Sequence, residues 1–350
     1  MQTDSKRWGE SLPLPSNDAV NCLRFPSPLL TGESPVTPPK MTIQEFKNQA
    51  TKELSSSPSP ALDIQVLLEY ITGYTKSQIL LKRDEELASE KAEWLTQAIN
   101  ARKTGLPIAY ITGHKEFFGY DFLVSPAVLI PKPDTEILVE KALDIILEKI
   151  DARPDSLLTI CDMCTGSGCI GIAVMKNLIE VQNIPFDRLP KITMVDISPA
   201  ALEMAEKNTD KLIGQEHPQA KSLFRFTRSN LFEQVPWRFD VILTNPPYIP
   251  HTMVNELLKD GRSEPRLALD GDITETGDRA KINGYELDDG LTIIKNLIPQ
   301  IKEHLNPKGT VLMETGEYNA QATAAWAKNW AFKTQIYPDL EGQLRVVEFK

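Results

Sequence analysis

No apolar run in the sequence approaches the roughly 18–20 residues needed to span a bilayer, so no transmembrane helix is expected. Cysteine is scarce. Four in 350 residues cannot make a disulfide scaffold, and a reducing compartment is implied. Histidine is as scarce, also four. The pair Cys161 and Cys164 resembles half a metal site, but Cys22 and Cys169 fit no zinc spacing, so no metal is expected. Positive charge is in deficit: 38 Lys and Arg against 48 Asp and Glu, a net charge of -10. That balance argues against broad electrostatic binding to DNA or RNA, which needs a basic face. The expected partners therefore include neither membrane nor nucleic acid, and a monomer is expected.

The hydrophobic content of 41% is enough for a real core. The length suggests two domains, or one with a sizeable appendage. Residues 1–40 are rich in Pro and Ser, and Pro13, Pro15, Pro26, Pro28, Pro35, Pro38 and Pro39 forbid a long helix. They read as a disordered leader or tail. As a mitochondrial leader the stretch is weak, because Lys6, Arg7, Arg24 and Lys40 are balanced by Asp4, Glu10, Asp18 and Glu33.

Residues 42–104 read as a small helical domain. Thr42 and Glu45 have capping-box spacing, Leu62, Val66, Leu67 and Tyr70 recur at helical spacing, and Gly73 marks a stop. Periodicity fits a structural cap as well as a substrate-recognition domain. Residues 105–134 read as a β-hairpin linker, from Pro107-Ile108-Ala109-Tyr110-Ile111-Thr112-Gly113 through the aromatic run Phe117 to Phe122. A rigid Pro131-Lys132-Pro133 segment follows, with Asp134 as the expected N-cap of the next helix. Residues 135–350 form the expected main domain.

The stretch Val241-Ile242-Leu243-Thr244-Asn245-Pro246-Pro247-Tyr248 organises that domain. Four apolar or β-branched residues read as a buried strand, and Asn-Pro-Pro stops it, because proline has no N–H for a ladder. The product is a stiff loop at a strand's carboxyl end, where open α/β sheets bind ligands. Upstream, Leu157 to Cys161 is a strand. Asp162-Met163-Cys164-Thr165-Gly166-Ser167-Gly168 is a small-residue turn into a helix, which lets backbone approach a ligand. The next strand, Ile192 to Val195, ends in Asp196, an acid suited to a ribose diol. Asp162 disfavours a pyrophosphate and suits an ammonium, so S-adenosylmethionine is preferred to a dinucleotide. Asn230 fits an adenine edge or a plain polar loop, with Leu231 able to cover a face.

Taken together, the Asn245-Pro246-Pro247-Tyr248 tetrad, the glycine turn, Pro107 to Gly113, Leu129-Ile130-Pro131-Lys132-Pro133-Asp134-Thr135-Glu136 and Glu264-Pro265-Arg266-Leu267-Ala268-Leu269 resemble the HemK/PrmC release factor glutamine methyltransferases, most of all the mitochondrial, fungal-type members. The resemblance covers residues 42–350. It implies an α/β fold of the class I S-adenosylmethionine-dependent methyltransferases: Rossmann-like, with a seven-stranded mostly parallel sheet, one reversed strand and a small N-terminal helical domain. It also implies S-adenosyl-L-methionine as cofactor, a peptide chain release factor as partner, and the glutamine of its Gly-Gly-Gln loop as target. In a eukaryote that means mitochondria; otherwise the cytoplasm.

Under the resemblance, Asn245, Pro246 and Tyr248 are catalytic, and Asn245, Pro246, Pro247, Tyr248 and Glu264 meet substrate. Glu264 reads equally well as a surface acid. Cofactor contacts fall on Asp162, Cys164, Thr165, Gly166, Ser167, Gly168, Asp196, Asn230, Leu231 and Asn245, with Thr135 and Glu136 expected to line the same pocket. No general base is needed. Three positions depart from the family pattern. Cys164 stands where the family often has Gly, Asn230 stands where it often has Asp, and a polar stretch from Asp272 to Leu287 reads as a surface insertion. The tetrad alone also occurs in amino-methyltransferases acting on adenine or cytosine of nucleic acid, the alternative reading. A non-catalytic module that kept the fold is a third, opposed by the intact Asn245 and Asp196.

Overall fold

The structure is a computed structural model and describes residues 41–259, 264–282 and 285–350. The leader or tail expected over 1–40 lies outside the described residues. These residues divide into two compact units, one running to Gly113 and one from His114 onward.

The first unit contains β1 (Met41–Thr42), α1 (Ile43–Glu53), α2 (Pro60–Thr72), α3 (Lys76–Leu81), β2 (Glu86–Leu87), α4 (Ser89–Lys103) and α5 (Ile108–Thr112). The capping box is formed: Thr42 Oγ1 accepts the Glu45 N–H, and the Glu45 carboxylate accepts the Thr42 N–H. Phe46, Leu67, Leu68 and Leu95 bury in a core of the unit's own. The buried Asp63 is neutralised there by Arg102 at 2.8 Å. The unit ends at Gly113 rather than near residue 104, because residues 108–112 are helical and not part of a hairpin. Pro107 starts that turn, and Gly113 ends it at φ 76°.

The second unit opens with a hairpin, β3 (His114–Phe117) and β4 (Tyr120–Leu123), followed by α6 (Glu136–Ala152). Asp134 does not cap α6. A short 3₁₀ turn, Pro133–Thr135, leads into the helix, and Asp134 pairs with Arg345 at 3.2 Å. Next come β5 (Thr159–Met163), α7 (Cys169–Glu180), β6 (Lys191–Asp196), α8 (Pro199–Thr209), α9 (Pro218–Lys221), β7 (Phe224–Arg228) and β8 (Phe239–Thr244). The chain then runs through α10 (His251–Lys259), α11 (Arg266–Leu269), β9 (Lys281–Ile282), β10 (Tyr285–Glu286), α12 (Thr292–His304), β11 (Leu305–Glu314), α13 (Ala320–Asn329), β12 (Thr334–Pro338) and β13 (Leu344–Phe349).

Seven strands make one sheet in the order β12-β13-β11-β8-β5-β6-β7. Every pairing is parallel except those of β13, which runs against both neighbours. All six residues of β8 are buried, because helices cover both faces. Val241 and Leu243 face the core shared with α6 and α7, and Ile242 faces the core shared with α12 and α13. Since β5, β6, β8 and β11 run parallel, their carboxyl ends collect on one edge. That edge carries Asp196, Asn245 and Glu314.

Candidate active site

The turn after β5 is held from beneath by Asp162. Its Oδ2 accepts the Thr165 hydroxyl at 2.7 Å and the Gly171 N–H at 3.0 Å. Full burial pushes the Asp162 carboxyl up to about 7, and its Oδ1 has no hydrogen-bond partner. The turn needs left-handed backbone at Cys164 (φ 59°), Gly166 and Gly168. A Cβ on Gly168 would also press on Ile172, Met194 and Ala205. Asp196 closes the turn from the next strand: its Oδ2 accepts the Gly166 N–H and its Oδ1 the Ser198 N–H, both at 2.9 Å. Burial raises its carboxyl too.

These groups border a cavity of about 690 Å³, within the range of small-molecule sites. Cys164, Thr165, Gly166, Ser167, Asp196, Asn230, Leu231, Asn245 and Pro247 line it, as does Thr135. Asp162, Gly168, Pro246, Tyr248, Glu264 and Glu136 are not part of the lining. Glu136 turns to the hairpin instead and accepts the Phe118 N–H at 2.9 Å. Glu264, buried to 9% exposure, holds Lys132 at 2.6 Å. Asn230 spends its Nδ2 on Glu233 at 2.8 Å and Glu275 at 3.1 Å.

The polar stretch from Asp272 to Leu287 is not merely a surface insertion. Ile273, Thr274, Glu275, Ala280 and Lys281 are cavity wall. Its base is anchored by Asp272, whose Oδ2 accepts the Gly290 N–H at 2.8 Å and whose Oδ1 accepts the Thr292 hydroxyl at 2.8 Å.

The tetrad loop is fixed at both ends. Asn245 Nδ2 donates to Thr135 Oγ1 at 3.3 Å, so the carbonyl Oδ1 is the other end of that amide. The Tyr248 carbonyl accepts from Asn319 Nδ2 at 3.1 Å, and its phenol donates to Glu314 Oε1 at 3.1 Å. Burial pushes the Tyr248 phenol well above its usual range. Glu314, at 1% exposure, is raised to about 7 by burial, with the nearby Thr135 and Tyr248 hydroxyls and Arg345 opposing. No site role attached to Glu314 in the sequence. The available signal was the one that marked Asp196, an acid closing an apolar strand.

The donor set suits S-adenosylmethionine. Ser167 Oγ is buried at the cavity without a partner, and an unmet buried polar atom costs about 1–3 kcal/mol. A ligand bearing amino, carboxylate and hydroxyl groups supplies partners. The α7 amino terminus favours its carboxylate, and the small-residue turn leaves room for its backbone approach.

Residues 45–113 match the PrmC N-terminal domain and residues 137–263 the methyltransferase small domain. A release factor glutamine methyltransferase of Koribacter versatilis is 35% identical over 312 residues, 88% of this chain and 98% of the relative. That of Moorella thermoacetica is 34% identical over 309 residues, 87% and 97% of the two chains. That of Escherichia coli is 30% identical over 302 residues, 86% and 94%. Sheet order, glycine turn and domain match define a class I S-adenosylmethionine-dependent methyltransferase with an N-terminal helical domain. Its cofactor is S-adenosyl-L-methionine. With relatives at this identity matched nearly end to end, the chain belongs to the release factor glutamine methyltransferase family.

Proposed function

We propose that the chain methylates the side-chain amide nitrogen of the glutamine in the Gly-Gly-Gln loop of a peptide chain release factor, and that in a eukaryotic cell it does so in mitochondria. The observation that carries this reading is the Asn245 amide, pinned nitrogen-first to Thr135 beside the cofactor cavity. The helical unit is assigned to recognition of the release factor, and Glu264, braced by Lys132, to contact with its loop.

S-adenosylmethionine supplies an electrophilic methyl group on a positively charged sulfur. The target amide nitrogen is a poor nucleophile, because its lone pair is delocalised into the carbonyl. Asn245 Oδ1 and the Pro246 carbonyl accept its two N–H groups, and Tyr248 covers its flat face. Holding the –NH2 this way aims the lone pair and favours the positive charge that develops on nitrogen. Proximity and preoriented dipoles then supply most of the rate. No side chain need remove a proton first, since nitrogen loses it to solvent after transfer.

The test is tritiated methyl transfer to a purified release factor and to its Gln→Ala variant in the Gly-Gly-Gln loop. Label on the wild-type loop alone establishes substrate and position. Label on neither, from a folded enzyme that binds cofactor, overturns the reading and favours nucleic-acid acceptors.

A further inference from the structure

An asparagine amide has two ends of similar shape and opposite hydrogen-bonding sense. If Asn245 is to accept the N–H groups of a substrate amide, its oxygen must face the substrate and its nitrogen must be held away. A half-turn about the last side-chain bond would present a donor to a donor and block the reaction. Thr135 Oγ1 is the group that takes the nitrogen, at 3.3 Å across 110 residues of chain.

A hydroxyl both accepts and donates. With its oxygen occupied by Asn245, Thr135 must place its own proton elsewhere, and Thr135 is only 2% exposed. The neighbouring acceptor is the Glu314 carboxyl, whose charge the Thr135 hydroxyl stabilises. Glu314 Oε1 is already engaged by Tyr248. Glu314 Oε2 is buried and has no hydrogen-bond partner, so it is the open acceptor for the Thr135 proton. One buried carboxylate thus stands behind both the amide and the aromatic ring of the tetrad.

We propose that Glu314 is a positioning residue: acting through Thr135 it fixes the orientation of the Asn245 amide, and through the phenol it fixes the Tyr248 ring. This rests on the substrate reading above. It makes Thr135 a hydrogen-bond relay between Glu314 and Asn245.

The relay works in one protonation state. An ionised Glu314 accepts from both hydroxyls. A protonated Glu314 can donate to Thr135 Oγ1, which then shares that oxygen with the Asn245 N–H, turns the hydroxyl away from its old geometry and loosens the hold on the amide. The groups that set this balance face Glu314 from several elements. Tyr248 on the tetrad loop and Arg345 on β13 favour the charge, and Asp134 before α6 opposes it. Cys169 at the start of α7, whose thiol is raised by burial first and by Asp162 next, also feels that charge.

The experiment compares Thr135→Val, Thr135→Ser and Glu314→Gln with the wild-type chain. It follows methyl transfer to a release factor from pH 5.5 to 9, with the cofactor Kd and the melting temperature of each variant. Thr135→Val keeps the shape and removes the hydroxyl, and its kcat at saturating cofactor should fall by about 10²-fold, the cost of a misplaced reacting group, a larger change than in the cofactor Kd of this cavity-lining residue. Thr135→Ser keeps the hydroxyl and should recover most of the rate. Wild-type kcat should drop on the acid side near pH 7, where Glu314 titrates, and Glu314→Gln should be slow with that limb gone. Should Thr135→Val not fold, the Glu314→Gln profile decides alone. Thr135→Val or Glu314→Gln turning over at the wild-type rate, Thr135→Ser as slow as Thr135→Val, or an unchanged acid limb in Glu314→Gln overturns the inference. A wild-type chain that transfers no methyl overturns the substrate reading and this inference together.

Discussion

Glu275 accepts a hydrogen bond from Asn230 Nδ2 at 3.1 Å, which ties the polar segment before α12 to the loop after β7 on one cavity wall. The segment therefore forms part of the wall of the cavity proposed to hold the cofactor. Glu275→Ala should weaken S-adenosylmethionine binding by roughly 2–10-fold, the worth of one ordinary hydrogen bond. Calorimetric titration of the variant measures it. An unchanged Kd would separate the segment from cofactor binding.

Gly290 has φ 69°, and a Cβ there would collide with the Tyr248 carbonyl. The tetrad loop thus lies against a glycine that follows the polar segment. Gly290→Ala combines a left-handed backbone with a backbone clash, and should cost ~3 kcal/mol or more. It should also displace Tyr248 and slow transfer. Urea unfolding measures the first, and a loss within about 0.5 kcal/mol would show that the loop yields without penalty.

Asp162 and Glu314 are both raised to about 7 by burial. An acid whose folded value exceeds its unfolded value holds more protons in the native state between the two. By linkage, stability then falls as pH rises from about 4 to about 7 and is flat above, by about 1.4 kcal/mol per pH unit per group at most. Glu314→Gln removes one such group. Its stability relative to wild type should therefore improve between pH 5 and pH 8, as followed by urea midpoints. A constant or worsening difference would mean that Glu314 titrates at an ordinary value.

Much of this site was legible because its chemistry is local. The buried run of β8, the Asn245-Pro246-Pro247 stop and the glycine turn each declare themselves within a few residues. The relay behind them does not. Thr135 and Asn245 are 110 residues apart, and Tyr248 and Glu314 are 66, so only the sheet order brings them together. Residues 108–112 misled for a different reason. Ile108, Tyr110, Ile111 and Thr112 have strand-like composition, but Pro107 and Gly113 punctuate a helical turn. Cys164 is informative in the other direction. At φ 59° it occupies a backbone state that favours glycine, the residue that the resemblance leads one to expect there.

The most direct test of the account is methyl transfer by Asn245→Ala, alongside its melting temperature. The Asn245 amide is the proposed acceptor for the substrate –NH2, and β8 beneath it is held by burial rather than by that side chain. The variant should keep its fold and lose transfer by about 10²–10³-fold, the scale for removing one preoriented polar group from a reacting centre. Wild-type turnover by a folded Asn245→Ala chain would contradict the account at its centre.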